Sequence, residues 1–392
     1  MGQKMQEDSS GHLRYKPAVT LESILFPLFF FGFFLLFVRQ MGIGNTLNTM
    51  MNTAYRLLMD TVFYLMAISV LMGAFAALFS EFGFVALVNR LLAPLMGPLY
   101  GMPGAAALGV VTTYLSDNPA ILALADDQGF RHYFQRYQIP ALTNLGTAFG
   151  MGMVIAAFML GLESKAEFSM QGPVLAGTLG AVAGSIVSTR MMLWYTARHY
   201  GKEAVAAEEP LEPVPQEVRL VHKGPVPQRI MLCMLEGGKH GVHLGFSIVP
   251  GILVICTFIM MLSNHCPEGG YTGAAYEGIG LLPRLLEQIS FLIKPLFGFS
   301  SAENCVVPVT ALGAAGAAIG LIPNLMQRGS VHGNDIAVFV AMCMCWSGYL
   351  STHVSMMSTL KAEEMTGASI FCHTIGGLSA GLTAHLLAVF WL

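Results

Sequence analysis

Seven stretches of this chain are long and apolar enough to cross a bilayer as helices: Leu21–Val38, Thr61–Phe79, Ile139–Leu162, Gly172–Thr189, Val242–Leu262, Ile336–Leu360 and Ala368–Leu392. A spanning helix needs about 20 mostly apolar residues, because it must cover about 30 Å at 1.5 Å per residue. Six of the seven contain no Asp, Glu, Lys or Arg, and the first carries only Glu22. The first stretch starts late, lacks a small-residue cleavage site and leads straight into a second span, so it reads as a retained helix. Only 11% of the 392 residues are charged, against about 25% in a soluble domain. Most of the chain therefore cannot face water.

Two more stretches are apolar but broken. Met102–Ala125 carries Ser116-Asp117-Asn118-Pro119 in its middle, and Ser301–Gln327 carries Gly313-Ala314-Ala315-Gly316. Proline removes a backbone donor and biases the preceding residue away from helix. Both read as re-entrant hairpins of two half-helices, which survive at membrane depth only where protein or a polar cavity satisfies the backbone. The alternative is an ordinary kinked span.

The charges test the topology independently. With the N-terminus in the cytoplasm, seven crossings, and each hairpin returning to its own side, 14 of the 20 Lys and Arg fall inside. That is the sign of the positive-inside rule. The C-terminus is then expected outside.

Residues 199–229 form a Pro-rich, acidic linker. On either side the same order recurs: a span, an amphipathic stretch (Phe84–Leu99, Leu281–Phe297), a broken hairpin and two more spans. The amphipathic stretches run into matching phrases, Pro98-Leu99-Tyr100-Gly101-Met102 and Pro295-Leu296-Phe297-Gly298-Phe299. Three spans per copy is odd, so the second copy must be inverted, a plan common among secondary transporters. The expected fold is an all-α polytopic membrane protein with two inverted repeats. Each repeat has an amphipathic interfacial helix, a re-entrant hairpin and three spanning helices, and one extra span precedes them. The divisions are 1–57 (tail and first span), 58–198 (first repeat), 199–229 (linker) and 230–392 (second repeat).

Asp117 is the outlier, because a carboxylate deep in an apolar stretch marks a pathway or a site by default. Ser116 and Asn118 add donors and acceptors at the same break. Capping of orphan amides is the structural alternative, and both roles can hold together. Asn144, Thr143 and Thr147 open the following span, with Asn144 expected to face the first hairpin. In the second copy the equivalent span reads Cys345 to His353, with Ser347 and Ser351 expected on one helical face. Glu303 and Asn304 stand at the mouth of the second hairpin. His240 and His243 lack the spacing and acid neighbours of a metal site. Four of the seven Cys (Cys256, Cys343, Cys345 and Cys372) lie inside apolar runs and there is no CxxC, so they read as small hydrophobes. No phosphate-cradling glycine loop, HExxH or GxSxG is present, so an enzyme is not expected. The net charge of -3 argues against nucleic acid. Asn118-Pro119-Ala120 resembles the aquaporin tripeptide, but such a channel needs it twice, and the second hairpin has Ile322-Pro323-Asn324.

The pattern over roughly residues 58–392 resembles the nucleoside-recognition, or Gate-domain, membrane proteins. Their relatives include concentrative nucleoside transporters, spore maturation proteins and the membrane part of ferrous iron transporters. Ser116-Asp117-Asn118-Pro119 resembles the Thr-Glu-X-Pro of the nucleoside transporters' first hairpin, whose acid binds substrate. Ser351-Thr352 resembles a paired Ser on the later span, with Tyr349 where the family has Asn. Those transporters carry a Glu at the second hairpin's tip, whereas this chain has only Gly and Ala around Ala314. The resemblance implies a secondary transporter working by alternating access on a small polar solute. Its site would lie between the hairpins and involve Ser116, Asp117, Asn118, Asn144, Thr147, Glu303, Asn304, Ser347, Ser351 and Thr352. A non-transporting assembly or regulatory factor is the alternative. No cofactor is expected beyond a coupling Na+ or H+. The expected setting is a bacterial inner (plasma) membrane, and the expected assembly a homo-oligomer.

Overall fold

The computed structural model describes residues 17–391 except 127, 132 and 203–220. The described residues are all-helical apart from their turns and loops, and six helical runs are long and apolar enough to cross a membrane. This is a multi-pass membrane protein.

Helix α1 (Glu22–Met41) precedes α2 (Ile43–Glu81), which is continuous through a π-helical segment at Leu57–Val62. Then come α3 (Phe84–Tyr100), the mutually packed pair α4 (Ala106–Leu115) and α5 (Pro119–Asp126), α6 (Ala141–Thr147), α7 (Gly152–Gly161) and α8 (Gln171–Tyr200). The order repeats as α9 (Val226–Ser263), α10 (Leu281–Gln288), α11 (Ser290–Phe297), the packed pair α12 (Val306–Ala311) and α13 (Ala315–Gln327), α14 (Gly333–Cys345), α15 (Tyr349–Thr359) and α16 (Thr366–Trp391).

The matching Pro-Leu-aromatic-Gly phrases have one local cause. Gly101 (φ 71) and Gly298 (φ 64) are the left-handed C-caps that end α3 and α11, a conformation that strains any residue with a Cβ. The aromatic before each glycine turns inward onto the last helix of its own half. The Tyr100 hydroxyl lies 2.7 Å from Ser185 Oγ on α8, and Phe297 packs beside Gly381 on α16.

Expectation and structure can be compared at four points. Helix α2 starts 18 residues before the apolar run Thr61–Phe79, so the boundary at 57–58 falls inside one helix. Its polar first half grips the loop 264–280, with Asn45 and Asn52 donating to the carbonyls of Tyr271 (3.1 Å) and Gly273 (2.8 Å). The runs Ile139–Leu162 and Ile336–Leu360 are not continuous helices. The first is interrupted at 148–151, where Met151 sits at φ 57, and the second at 346–348, where Gly348 sits at φ 67. Ser347 lies in that turn and Ser351 inside α15, so the two do not share one helical face. Finally, α8 reaches Tyr200 and α9 begins at Val226; the middle of the 199–229 linker, like Leu392, lies outside the described residues.

Lipid tails are as apolar as leucine, so packing and hydrogen bonds, not water exclusion, hold such helices together. The chain meets this with small residues. Helices α2 and α9 approach closely through Gly73, Gly237 and Gly241, and α8 and α16 through Gly180, Gly184, Ala380 and Ala384. Helix α14 runs through the middle, buried from Asp335 to Cys345. An all-round apolar helix belongs at such a centre.

Candidate functional site

Three interruptions of helix meet at one place. In the first, α4 stops at Leu115, Ser116 leaves helical geometry (φ -127, ψ -108), and Ser116 Oγ accepts from the Asp117 amide at 2.5 Å. Pro119 then starts α5, and the Ala120 amide returns to the Asp117 carbonyl at 3.0 Å. The second is the turn 148–151 between α6 and α7. The third is Trp346-Ser347-Gly348, whose indole Nε1 donates to the His373 carbonyl at 3.2 Å.

Asn118 joins them. It is 4% exposed, and its Nδ2 donates to Ser347 Oγ at 3.3 Å. Gly150 of the second break faces both: a Cβ there would lie 2.7 Å from Asn118 Cγ and 2.7 Å from Ser347 Oγ. Gly348 faces Asn118 and Thr352 in the same way. The buried oxygens Asp117 Oδ1 and Asn118 Oδ1 have no hydrogen-bond partner within the chain. Buried polar atoms are nearly always satisfied, so two acceptors left open at one crossing are capacity for a donor or cation.

The other expected residues divide. Thr352 is at the crossing, while the side chain of Ser351 lies outside the described residues. Asn144 does not turn to the first hairpin. Its Nδ2 donates to Ser188 Oγ and to the Ser369 carbonyl, both at 2.9 Å, and its Oδ1 accepts from Ser369 Oγ at 2.6 Å. Gly146, not Asn144, meets the first hairpin, at Ile121. Thr147 gives its hydroxyl to the Thr143 carbonyl at 2.6 Å, the back-bond usual for threonine in a helix. Glu303 pairs with Arg328, closing the ends of the α12–α13 hairpin. Asn304 donates to the Ser330 carbonyl (2.6 Å) and to Asp335 Oδ1 (2.9 Å). Asp335, fully buried, also accepts from the Ser300 and His332 amides. These bonds anchor the second hairpin; none reaches Asn118 or Ser347. The tip of that hairpin, Ala314, rests 3.2 Å from the Cβ position of Gly251 on α9.

Two residues at the crossing were passed over in the sequence. His353 on α15 and His373 on α16 are fully buried, with ring centroids 4.5 Å apart. A histidine inside an apolar run was the available signal. Elsewhere, Glu81, His222 and Cys233 bring ligand atoms within 4.8 Å of one another. Arg229 Nε donates to the Glu81 carboxylate at 2.7 Å, and His222 bridges Glu81 and Glu236 at 3.0 Å each. A guanidinium on the carboxylate opposes a metal cation, and the cluster clasps the start of α9 to the end of α2. A separate cavity of about 360 Å³ lies between α2, α7 and α13, lined by Asp60, Tyr64, Lys165, Tyr276 and Asn324 among others. None of the expected site residues lines it.

No family model matches the chain, and no curated protein matches it. Solved structures do. The fold is similar to that of CNTnw. Against this concentrative nucleoside transporter in an inward-facing, substrate-bound state, the TM-score is 0.52 at 14% identity, covering 83% of this chain and 74% of that one. An outward-facing, doubly substituted form of CNTnw gives 0.48 at 12% identity, covering 83% and 76%. At such identity the likeness is one of fold.

Proposed function

We propose that the chain is a Gate-type secondary transporter that moves a small polar solute by alternating access. The observation that carries this reading is the meeting of three helix breaks at Asn118, Gly150 and Ser347, with buried acceptors of Asp117 and Asn118 left open. Irregular backbone at membrane depth is tolerated where it lines a site, and transporter sites are commonly built from such discontinuous helices. The solute is held by Asp117, Asn118, Ser347 and Thr352, with Ser116 setting the turn. Asn144, Thr147, Glu303 and Asn304 act as supports that hold the broken segments in place. In this reading the two halves are inverted, α4–α5 and α12–α13 are re-entrant from opposite sides, and the N-terminus is cytoplasmic with the C-terminus outside. The similarity in fold to CNTnw supports the scaffold.

Counterflow in proteoliposomes, with nucleosides, nucleobases and amino acids as the screened solutes, tests the reading. Asp117→Asn keeps the shape and removes the charge. It should cut exchange by about tenfold for each 1.4 kcal/mol of solute binding lost, while the thermal midpoint stays near that of the unaltered protein. Near-normal exchange per folded molecule with a lowered midpoint would make Asp117 a structural residue. No counterflow with any solute would end the transport reading.

A further inference from the structure

His353 and His373 stand beside the crossing without a role in the reading above. Neither ring nitrogen of His353, nor Nε2 of His373, makes a hydrogen bond of ordinary geometry; main-chain groups of Gly348 and Tyr349 face His353, that of Cys345 faces His373, and His373 Nδ1 lies 3.3 Å from Ser188 Oγ. Packing alone does not account for them, because an apolar side chain would fill the space without leaving three buried nitrogens poorly satisfied. A neutral imidazole offers one acceptor lone pair, and a protonated one becomes a second donor. Two facing rings therefore suit one proton, taken on the lone pair of one ring and shared toward the acceptor of the other. A second proton would put two positive charges 4.5 Å apart in a water-poor interior, which Coulomb repulsion opposes.

Among the described residues neither ring forms an ion pair, and the nearest acid the first hairpin brings to the break is Asp117. Tyr349, on the same helix as His353, stacks on His373 at 6.1 Å and gives its hydroxyl contact to Thr374. Helix α8 presents Ser188, α6 reaches the pair through Asn144 on that same serine, and α14 presents the end at Cys345. The first hairpin brings Asp117 and Asn118 to the break. The break is also tied to the main chain of one member of the pair: Trp346, next to Ser347, donates its indole N–H to the His373 carbonyl. The residue that carries one of the two rings is thus bonded, through its main chain, to the segment that holds Asn118.

We propose that His353 and His373 together bind one exchangeable proton that controls the break carrying Ser347. The proton comes from one aqueous phase and leaves to either, with no other bond made or broken. On the transport reading, and resting on it, that proton is the coupled ion.

The test uses the proton alone as probe. In purified protein with isotope-labelled histidine, nitrogen shifts followed over about pH 3 to 8, a window wide enough for imidazoles buried as these are, should show one protonation event that both His353→Gln and His373→Gln abolish. In a variant with Trp194→Phe and Trp391→Phe, the emission of Trp346 should follow the same titration. If neither ring of the unaltered protein changes protonation in that range, the proposal falls; if the rings titrate while Trp346 stays constant, the link to the break falls. Neither readout needs transport, so these results and counterflow can fail separately. In vesicles that show counterflow, an inward gradient of about one pH unit should raise accumulation by about tenfold. Accumulation indifferent to that gradient removes the coupling role.

Discussion

Replacing Gly150 with alanine places a methyl group where the three breaks cross. Its carbon would lie 2.7 Å from Asn118 Cγ and 2.7 Å from Ser347 Oγ, where ordinary contact needs about 3.5–4.0 Å. Both neighbours must retreat by about 1 Å, and the 3.3 Å bond between them cannot survive the separation. Overpacking of this kind costs about 1–3 kcal/mol. If the contact belongs to one state of a two-state cycle, that state loses about 5- to 150-fold in population. Gly44→Ala is the control, because nothing lies within 4 Å of its Cβ and alanine in a helix gains about 0.5–1 kcal/mol over glycine. Thermal unfolding and counterflow should be measured on both variants. Gly150→Ala should lower the midpoint and slow exchange, while Gly44→Ala does neither. Unaltered midpoint and exchange in Gly150→Ala would show that the three segments are not pressed together, and the site would have to be sought elsewhere.

Gly241→Ala tests the packing of α2 on α9. Its Cβ would meet the backbone of Ser69 and Val70 at 2.5 and 2.6 Å, atoms that cannot yield without moving a helix, so a loss of about 1–3 kcal/mol is expected; a midpoint equal to that of Gly32→Ala would refute it. The His222 clasp should depend on pH. Hydrogen bonds to the carboxylates of Glu81 and then Glu236 raise the His222 pKa above its ordinary 6.5, so its stabilisation is complete below that ordinary value and fades as pH rises through the raised one. The midpoint difference between the unaltered protein and His222→Ala should therefore shrink from pH 6 towards pH 9; a difference that grows with pH would contradict the assignment.

Much of the fold was legible because its signals are local. An uncharged run such as Gly172–Thr189 has few places to go but a bilayer, and the structure makes it part of α8. The break before Pro119 follows from a missing backbone donor, and the paired Gly101 and Gly298 caps follow from a conformation that glycine adopts without strain. Asp117 and Asn118 stood out for the same reason: a polar group in an apolar run is expensive wherever the run lies.

Other features needed the chain to fold. The turn at 148–151 includes a methionine at positive φ, which has no local preference for it; such strain is held by the surrounding packing. Gly146, Gly150 and Gly152 lie around it, but small residues at that spacing serve close helix packing as readily as a break, so the second of the three breaks was not separable from packing in sequence. Asn144 looked like a site residue because its polarity was readable and its partners were not. Ser188 and Ser369, 44 and 225 residues away, claim its amide. The pairing of His353 with His373 is likewise a product of two helices laid side by side. Sequence by itself determined which segments are apolar helices and where the chain breaks before Pro119, since those depend on each segment's own backbone and solvation. Which polar groups face one another, and which remain open, only the tertiary structure decided, because hydrogen-bond partners are set by distance in space and not along the chain.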